Sequence, residues 1–461
     1  MATVRATELS IDQLLAIRSI GGSEGPQWSP DGREITFVSG LGGSPELWSI
    51  DPDGGVLTQL TAGMGGVGHL ATFTPRWSPT GEYVAYITAS SGTDEVWLWP
   101  VDGSEAFQLT TLGGRIEAMS WSPDGQSIAV ASNAWGQFDI FLVSVPNGRQ
   151  TRLTDDPRYD VYPTFTPDGQ HILYVRLNDA WTDHEVIRIG IDGSNPQVIL
   201  TDTDFFDYHY GRTFGYPKVS PDGSTFLFRS HRSGWINVWA APTDGSGEPR
   251  QIAAADADQG DAAWSPDGAS IAYVENHNGT LDLRVVPTAG GQSRIFVAPD
   301  QGVCAEPTWS PDGRTIAYLL GTPTSPNDIW TVDTESGAQR QLTRSMLGGR
   351  LRERIVGPEK IAYESFDGRQ INAYLYRPAH REPGQHFPGL LWIHGGPTAQ
   401  FMDTFQPQVQ YFVQQGYVVL LPNIRGSSGY GREFEDINNG DWGHGDLQDA
   451  IAGVGYLKTL D

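Results

Sequence analysis

The tetrapeptide His394-Gly395-Gly396-Pro397 is the part of this sequence whose residue types most clearly suggest chemistry. It follows an apolar run, residues 389–393, that has the composition of a buried β-strand. Glycines at such a place let the backbone approach a substrate, and their N–H groups can stabilise the negative charge of a tetrahedral intermediate. The pattern predicts an oxyanion loop, although a glycine-rich turn without a catalytic role has the same appearance.

The elements that would position this loop belong to an α/β pattern that begins after Leu342. An Asp367-Gly368 pair between two alternating runs predicts a β-hairpin. Further elements are predicted in this order: a helix near 405–415, a buried strand at 417–421, a glycine-rich segment at 423–431 and a helix over about 446–459.

Most of the chain consists of repeated units, and each unit is opened by a turn motif with the pattern Trp-Ser-Pro-Asp-Gly. Proline sets φ at the first corner, aspartate favours the second, and glycine takes the left-handed position that reverses the chain. Two alternating strands and a closing strand follow each turn, which makes four strands in each unit. Seven units predict an all-β seven-bladed β-propeller over residues 21–345. The motifs begin at seven positions, 44 to 54 residues apart: Trp28, Trp77, Trp121, Phe165, Val219, Trp264 and Trp309.

We interpret the aromatic residue that opens each motif as packing between blades, not as part of a ligand cage. The longest repeat contains an aromatic insertion, residues 205–216, for which we favour a packed loop over one that faces a ligand. Residues 10–17 have the pattern of a short capped helix. We expect the N-terminal segment 1–20 to pack on the domain that follows the propeller.

Composition excludes several functions. A formal net charge of −25 without basic clusters argues against nucleic acid as a partner. A single cysteine, Cys304, permits neither an intrachain disulfide nor a cysteine metal site, and the histidines lack metal-ligand spacing. No apolar stretch is long enough to span a membrane, and the N-terminus lacks a signal core. We therefore expect a cytoplasmic protein without metal or other cofactors and without a membrane partner.

The ordered combination of propeller, His394-Gly395-Gly396-Pro397, residues 423–431 and residues 440–443 resembles the prolyl oligopeptidase family of serine peptidases. The acylaminoacyl-peptidase and dipeptidyl-peptidase branches are the most similar in pattern. The resemblance implies hydrolysis of short peptides by a Ser-His-acid system, with the propeller excluding folded proteins. It also implies that Gly396, with Gly395, forms the oxyanion hole, and that His394 and Pro397 support the loop.

The catalytic serine of an α/β-hydrolase lies on a Gly-x-Ser-x-Gly turn after a strand. The only such match, residues 21–25, precedes the first blade motif, so we interpret it as a lead-in segment. Ser427 and Ser428 occupy a loop where the family has no nucleophile, and His394 and His444 have no acid at a recognisable spacing. We assign none of the triad to this chain.

The predicted organisation is an N-terminal segment 1–20, a propeller 21–345 and an incomplete α/β-hydrolase domain 346–461. We expect a serine peptidase that is inactive as this chain alone, because the sequence is truncated before the nucleophile. Its partners would be short peptides and a C-terminal hydrolase segment from the same gene or a companion fragment. Two alternatives stay open: a non-enzymatic propeller that binds a partner, and an esterase of the same fold.

Overall fold

The computed structural model describes residues 17–18, 20–21, 25–62, 75–178, 184–202, 217–346, 354–379, 385–396 and 398–460. The predicted helix at 10–17, apart from its last residue, and the aromatic insertion at 205–216 lie outside this range. So do Pro397 and residues 22–24. Of the N-terminal segment, Ile17 packs against a cluster that contains Ile355, Phe405 and Tyr411.

The first four blades are antiparallel sheets of four consecutive strands. Their strands are β1 (Gln27–Trp28), β2 (Ile35–Ser39), β3 (Glu46–Ile50) and β4 (Thr58–Gln59); β5 (Arg76–Trp77), β6 (Tyr83–Thr88), β7 (Glu95–Pro100) and β8 (Phe107–Gln108); β9 (Ile116–Trp121), β10 (Ser127–Ser132), β11 (Asp139–Ser144) and β12 (Gln150–Arg152); β13 (Tyr159–Phe165), β14 (His171–Leu177), β15 (His184–Gly190) and β16 (Gln197–Asp202).

Blades five to seven repeat this arrangement, and a single parallel pair, Leu281 with Val303, joins the last two. The sequence prediction of a seven-bladed propeller is therefore confirmed. Their strands are β17 (Lys218–Val219), β18 (Thr225–Ser230), β19 (Asn237–Pro242) and β20 (Arg250–Gln251); β21 (Gln259–Trp264), β22 (Ser270–His277), β23 (Thr280–Pro287) and β24 (Arg294–Val297); β25 (Val303–Trp309), β26 (Thr315–Thr322), β27 (Ser325–Asp333) and β28 (Gln339–Gln341).

The repeated turn has the predicted conformation in all seven blades, and a hydrogen bond within the motif holds it. In blade one, Gly32 has φ +71° and donates its N–H to Ser29 O at 2.9 Å. The Ser29 hydroxyl donates to Asp31 Oδ1 at 2.7 Å. This hydrogen bond lowers the pKa of Asp31, because it favours the ionised carboxylate.

The motif tryptophans join neighbouring blades, as predicted. Trp121 Nε1 donates to the carbonyl of Arg76, and Trp264 Nε1 donates to the carbonyl of Lys218, each on the innermost strand of the preceding blade. Trp28 closes the ring, since its Nε1 donates to the carbonyl of Thr308 in blade seven at 3.1 Å. The indole groups therefore contribute both apolar area and a specific hydrogen bond at the blade boundaries.

A second repeated contact locks the outer strand of four blades, and the sequence analysis did not identify it. In blade two, buried Thr110 donates its hydroxyl to Glu95 Oε2 at 2.5 Å and accepts the N–H of Val96 at 2.9 Å. Because the Glu95 carboxylate is itself buried, it depends on such donors. The equivalent pairs are Thr61 with Glu46, Thr154 with Asp139 and Thr343 with Asp328.

The chain continues after the propeller into a mixed sheet with the strand order β29-β30-β32-β31. The predicted hairpin is present, and Gly368 has φ +84° in its turn. Leu375, Val419 and Leu420 are fully buried in this second core. Its elements are β29 (Glu359–Glu364), β30 (Gln370–Tyr376), β31 (Gly389–Leu391), α1 (Pro407–Gln414), β32 (Val418–Pro422), α2 (Arg432–Asp436) and α3 (Gly445–Leu457).

Cys304 is a buried residue of the sixth and seventh blade core, as the sequence analysis expected. In the part of the chain that the structure describes, none of the helices combines the length and apolarity needed to cross a membrane.

The Thr110 contact generates a stability prediction. We expect Thr110→Val to lower the free energy of unfolding by about 1–3 kcal/mol, because a buried carboxylate and a backbone N–H each lose a partner while the shape is kept. Urea denaturation followed by tryptophan fluorescence measures this change. The matched control is Thr111→Val, at the adjacent exposed position. Equal stability of the two variants would contradict the proposed role of the threonine.

Candidate active site

The predicted oxyanion loop leaves the sheet directly after β31. The N–H of Trp392 donates to Leu420 O at 2.9 Å, which continues the pairing of β31 with β32 before the chain turns away. Gly395 is exposed, whereas Gly396 is half-buried and has φ +61°, a conformation that favours glycine. Among the described residues, no acceptor takes a hydrogen bond from either glycine N–H.

His394 is held from the side by Ser427, which belongs to residues 423–431, here called the second glycine-rich segment. Its Nε2 lies 2.9 Å from Ser427 Oγ, and this hydroxyl donates its proton to Ile424 O at 2.5 Å. The serine oxygen must therefore accept from Nε2–H, which assigns the imidazole tautomer. Burial lowers the pKa of His394 and so favours the neutral ring.

A serine and a histidine in contact are also the beginning of a catalytic arrangement, so the geometry of this pair matters. Ser427 is fully buried and its proton is directed at a carbonyl. The other ring nitrogen, Nδ1, lies 3.4 Å from the carbonyl of Gly395, where an acid would be needed to orient a general base. The pair therefore supports the loop, and it joins two motifs that are 33 residues apart in sequence.

His444 requires a correction. The sequence analysis found no acid spaced to orient it, but its Nδ1 lies 3.5 Å from Asp441 Oδ1, one turn earlier. The His444 side chain is 77% exposed at the start of α3. Solvent screens such a pair, and the contact orients the turn before the helix without forming a buried acid–base unit.

The segment that follows the oxyanion loop is pinned by Asn423, the residue directly after β32. Asn423 Oδ1 accepts the N–H of Phe401 at 2.7 Å, and its Nδ2 donates to Phe401 O at 3.1 Å. The Phe401 ring meets the imidazole of His394 edge to face, with centroids 5.1 Å apart. The loop is thus bounded on one side by Ser427 and on the other by Phe401.

Arg425 anchors the second glycine-rich segment to the hydrolase core. Its Nε and Nη2 donate to the two carboxylate oxygens of Asp449 on α3, at 2.9 and 2.8 Å. Asp449 is fully buried, and Ser365 and the backbone N–H of Arg425 supply further donors to it. Arg425 and Asp449 are thus joined by two hydrogen bonds, and further donors occupy the other lone pairs of the Asp449 carboxylate, which fixes the position of the Arg425 side chain. The hydrogen bonds to Asp449 also raise the pKa of Arg425.

The same segment then contacts the propeller, which accounts for its glycines. The Gly429 N–H donates to Asp258 Oδ2 of blade six at 2.8 Å. A side chain at Gly429 would lie 2.3 Å from Gln400 Oε1, and one at Gly431 would lie 3.2 Å from the ring of Trp235. Gly431 is therefore required by the close approach of the propeller, whereas the space at Gly429 is limited by Gln400 of the hydrolase part itself.

Buried acids lie at this contact. Burial raises the pKa of Asp258 to about 6, against the opposing effect of two backbone N–H donors. Burial and the neighbouring Asp258 raise the pKa of Glu435 on α2 to about 8. His231 Nε2 of blade five faces Glu435 Oε2 at 3.7 Å, and Arg432 and Asp436 are the other charged groups near Glu435.

A hairpin of blade six completes the contact between domains, and we call residues 276–280 the blade-six hairpin. Asn278 and Gly279 form its turn with φ +52° and +83°, as an Asn-Gly turn requires. Asp403 N donates to Gly279 O at 2.9 Å. The fully buried Asp403 carboxylate accepts from Gly302 N and forms an ion pair with Lys360 at 3.0 Å.

Sequence reasoning identified the glycine loop, its histidine and the segment that begins at Asn423. It did not foresee the contacts of Asn423, and it missed Asp258, the blade-six hairpin and Asp403. The Asn-Gly pair at 278–279 was a readable turn signal, while nothing in the sequence links it to residue 403. Pro397 lies outside the described residues. In the described part of the chain, no group of three or more His, Cys, Asp or Glu side chains is arranged to hold a metal ion.

The fold and the loop together define a class: a β-propeller followed by the first strands and helices of an α/β-hydrolase. Residues 67–206 match the TolB beta propeller domain, and residues 403–461 match the prolyl oligopeptidase family. The chain is therefore similar to the TolB beta propeller in one part and to the prolyl oligopeptidase family in its hydrolase part.

Two curated relatives illustrate this similarity. An uncharacterised peptidase of Bacillus subtilis, YuxL, is 35% identical over 133 residues, which cover 29% of this chain and 20% of the relative. Dipeptidyl-peptidase 5 of Porphyromonas gingivalis is 23% identical over 307 residues, covering 65% of this chain and 36% of the relative. The chain thus aligns with about a third or less of these curated proteins.

Two solved structures align with nearly the whole of this chain. A puromycin-hydrolysing peptidase of Mycobacterium tuberculosis matches with a TM-score of 0.81 at 20% identity, over 99% of this chain and 74% of that one. The acylaminoacyl peptidase of Pyrococcus horikoshii matches with a TM-score of 0.71 at 15% identity, over 96% and 71%. At these identities the matches establish the fold.

The buried acids generate a pH prediction. A carboxyl group with a raised pKa holds its proton more tightly in the folded chain, so Glu435 stabilises the fold fully below its ordinary pKa of 4.5. That stabilisation is lost as the pH rises to about 8. We expect Glu435→Gln to remove on the order of 3 kcal/mol of the stability difference between acidic and mildly alkaline solution.

Urea denaturation at roughly pH 5 and pH 8 measures this difference, because those values bracket the titration of a raised carboxyl group. Glu433→Gln is the matched control, since Glu433 is an exposed residue of the same short helix. The assignment would be wrong if both variants kept the pH dependence of the original chain.

Proposed function

We propose that this chain forms the propeller and the oxyanion-loop part of a serine peptidase that hydrolyses short or N-terminally blocked peptides. The observation that carries the proposal is the pair of N–H groups at Gly395 and Gly396, which have no acceptor among the described residues. They follow a hydrolase strand on a loop held by Ser427 and Phe401. Preorganised donors of this kind are what acyl transfer requires.

In this proposal the two glycine N–H groups stabilise the oxyanion, and His394 positions the loop without transferring a proton. The neutral, Nε2-protonated ring suits that role, because it donates to Ser427 and leaves no base free near an accessible hydroxyl. We propose that the nucleophilic serine, the acid and the catalytic histidine come from polypeptide outside these 461 residues. The chain alone would then be inactive.

The open edge of the hydrolase sheet is where we propose that this polypeptide docks. Among the described strands, β31 pairs only with β32, so its other edge is open. A groove of about 370 Å³ beside it is lined by Leu391, Val454 and Leu457. We propose that a further hydrolase strand pairs with β31 and covers the groove, because an open apolar edge is a template for strand addition.

The propeller would admit extended peptides and exclude folded proteins. We also propose a cytoplasmic location, since the only cysteine, Cys304, is a buried thiol and the chain uses no disulfide.

A fluorophosphonate probe tests the assignment of the nucleophile. We expect no covalent labelling of the purified 461-residue chain, because Ser427 is buried and its proton is committed. We expect labelling when the chain is expressed with its natural C-terminal continuation or companion polypeptide. Intact mass spectrometry measures both. Labelling of the 461-residue chain that disappears in Ser427→Ala would overturn the proposal and make Ser427 the nucleophile.

The open edge generates a prediction about association. Leu447, Ile451 and Val454 form an exposed apolar stripe on α3, with 50%, 52% and 38% of their surfaces accessible. We expect the isolated chain to self-associate through this stripe and the β31 edge, and Ile451→Glu to shift it towards monomer. Sedimentation velocity measures the distribution. The control is Val56→Glu, at an exposed propeller position, and equal effects of the two substitutions would refute the surface.

A further inference from the structure

The hydrolase part meets blades five and six through residues 429–436, which we call the docking segment. The Gly429 N–H donates to Asp258 Oδ2 at 2.8 Å. The Arg432 N–H donates to Gly234 O, also at 2.8 Å. Both donors are backbone groups of the hydrolase part, so the docking of this segment depends on acceptors that the propeller supplies.

Glu435 lies in this contact, against blade five. Its side chain is 12% exposed, and its Oε2 lies 3.7 Å from His231 Nε2. Among the described residues, its carboxylate accepts no hydrogen bond and has no lysine or arginine partner. The neighbouring Arg432 pairs with Asp436 instead, at 3.1 Å. An ionised carboxylate at this position is poorly compensated, so the docked arrangement favours the protonated form of Glu435.

Asp258 brings a second buried carboxyl group to the same contact from the propeller side. Its Oδ1 accepts the N–H of Ile236 at 3.0 Å, and its Oδ2 accepts the N–H of Gly429. Burial raises the pKa of Asp258 to about 6, and the two backbone donors oppose that shift. Burial, and next the charge of Asp258, raise the pKa of Glu435 to about 8. Near neutral pH, Asp258 is therefore ionised while Glu435 keeps its proton.

The other charged groups that face these two acids do not cancel their repulsion. Arg229 favours the ionised form of Asp258, and Arg432 favours that of Glu435, but Asp436 adds a further negative charge beside Glu435. Loss of the Glu435 proton therefore places like charges in one contact that is largely removed from water. Charges of the same sign repel more strongly there than in solvent.

The chain directly before the docking segment holds the oxyanion loop. Ser427 Oγ lies 2.9 Å from His394 Nε2. The Ser428 N–H donates to Ala399 O at 3.1 Å. A displacement of the docking segment would therefore reach the loop at two points.

We propose that the proton on Glu435 acts as a latch between the two domains. The docking segment is held on blades five and six when Glu435 is protonated, and it loosens when Glu435 ionises. The oxyanion loop is then fixed at acidic and neutral pH and released in mildly alkaline solution. The inference goes beyond the proposed function, because it concerns how the two domains dock and requires no turnover.

Linkage gives the direction and the size of the effect. The docked state holds the Glu435 proton more tightly than a separated state, in which the group has its ordinary pKa of 4.5. The contribution of Glu435 to docking is therefore complete below pH 4.5 and is lost as the pH rises to about 8. Between these values the docking equilibrium weakens by up to about tenfold per pH unit.

Hydrogen–deuterium exchange of the full 461-residue chain at roughly pH 6 and pH 8 tests the latch, with exchange times scaled for the pH dependence of intrinsic amide exchange. We expect protection of the docking segment, of residues 231–236 and of residues 392–396 to fall by at least about tenfold at the higher pH. Residues 83–88 and 127–132, in blades two and three, should keep their protection.

Glu435→Gln keeps the shape of the protonated side chain and removes its titration, so we expect this variant to stay protected at both pH values. Glu433→Gln is the matched control, because Glu433 is exposed on the same helix, and it should retain the pH dependence. If Glu435→Gln does not fold, the comparison of the original chain at the two pH values still decides.

Three results would overturn the latch: equal protection of the docking segment at the two pH values in the original chain, an unchanged pH dependence in Glu435→Gln, or a parallel loss of protection in blades two and three. The last result would show general loosening of the fold. The measurement contains no activity readout, so its failure is distinct from failure of the peptidase proposal.

Discussion

The buried carboxylate of Asp403 is the interaction on which the arrangement of the two domains depends. It receives donors from the propeller, Thr280 and Gly302, and from Lys360 of the hydrolase sheet. A carboxylate removed from water is costly unless it is paired, so the blade-six hairpin and the hydrolase must come together for Asp403 Oδ2 to receive these donors. Asp403 Oδ1 has no hydrogen-bond partner among the described residues. Asp403 is two residues from Phe401, and Phe401 contacts His394. The position of the oxyanion loop is therefore coupled to the propeller.

The glycines of the second segment follow from the same constraint. Gly429 lies against Gln400 and donates to Asp258, and Tyr430 donates its hydroxyl to Asn278 Oδ1 at 2.7 Å. Residues on both sides of the domain boundary thus meet within one small region. Because the acids there are buried, the contact is sensitive to protonation as well as to packing. A substitution in blade five or six can act on the loop without touching it.

The propeller could be predicted because each of its rules is local: a Pro-Asp-Gly turn, alternating strands and a fixed period. The glycine loop was predicted for the same reason, since Gly395 and Gly396 follow an apolar strand. The contact of His394 with Ser427, the Asp403 pairing and the Thr110 lock join residues distant in sequence, and no periodicity marks them.

The coupling between the propeller and the oxyanion loop is the central claim, and hydrogen–deuterium exchange measures it directly. In Asp403→Ala, we predict that amide exchange rises by about tenfold in residues 276–280 and 392–401 and stays unchanged in blades two and three, because only the domain contact is lost. Asp436→Ala, at an exposed position of α2, should leave all of these segments unchanged. Unaltered exchange of residues 392–401 in Asp403→Ala would contradict the account, because the loop would then keep its position without the blade-six hairpin.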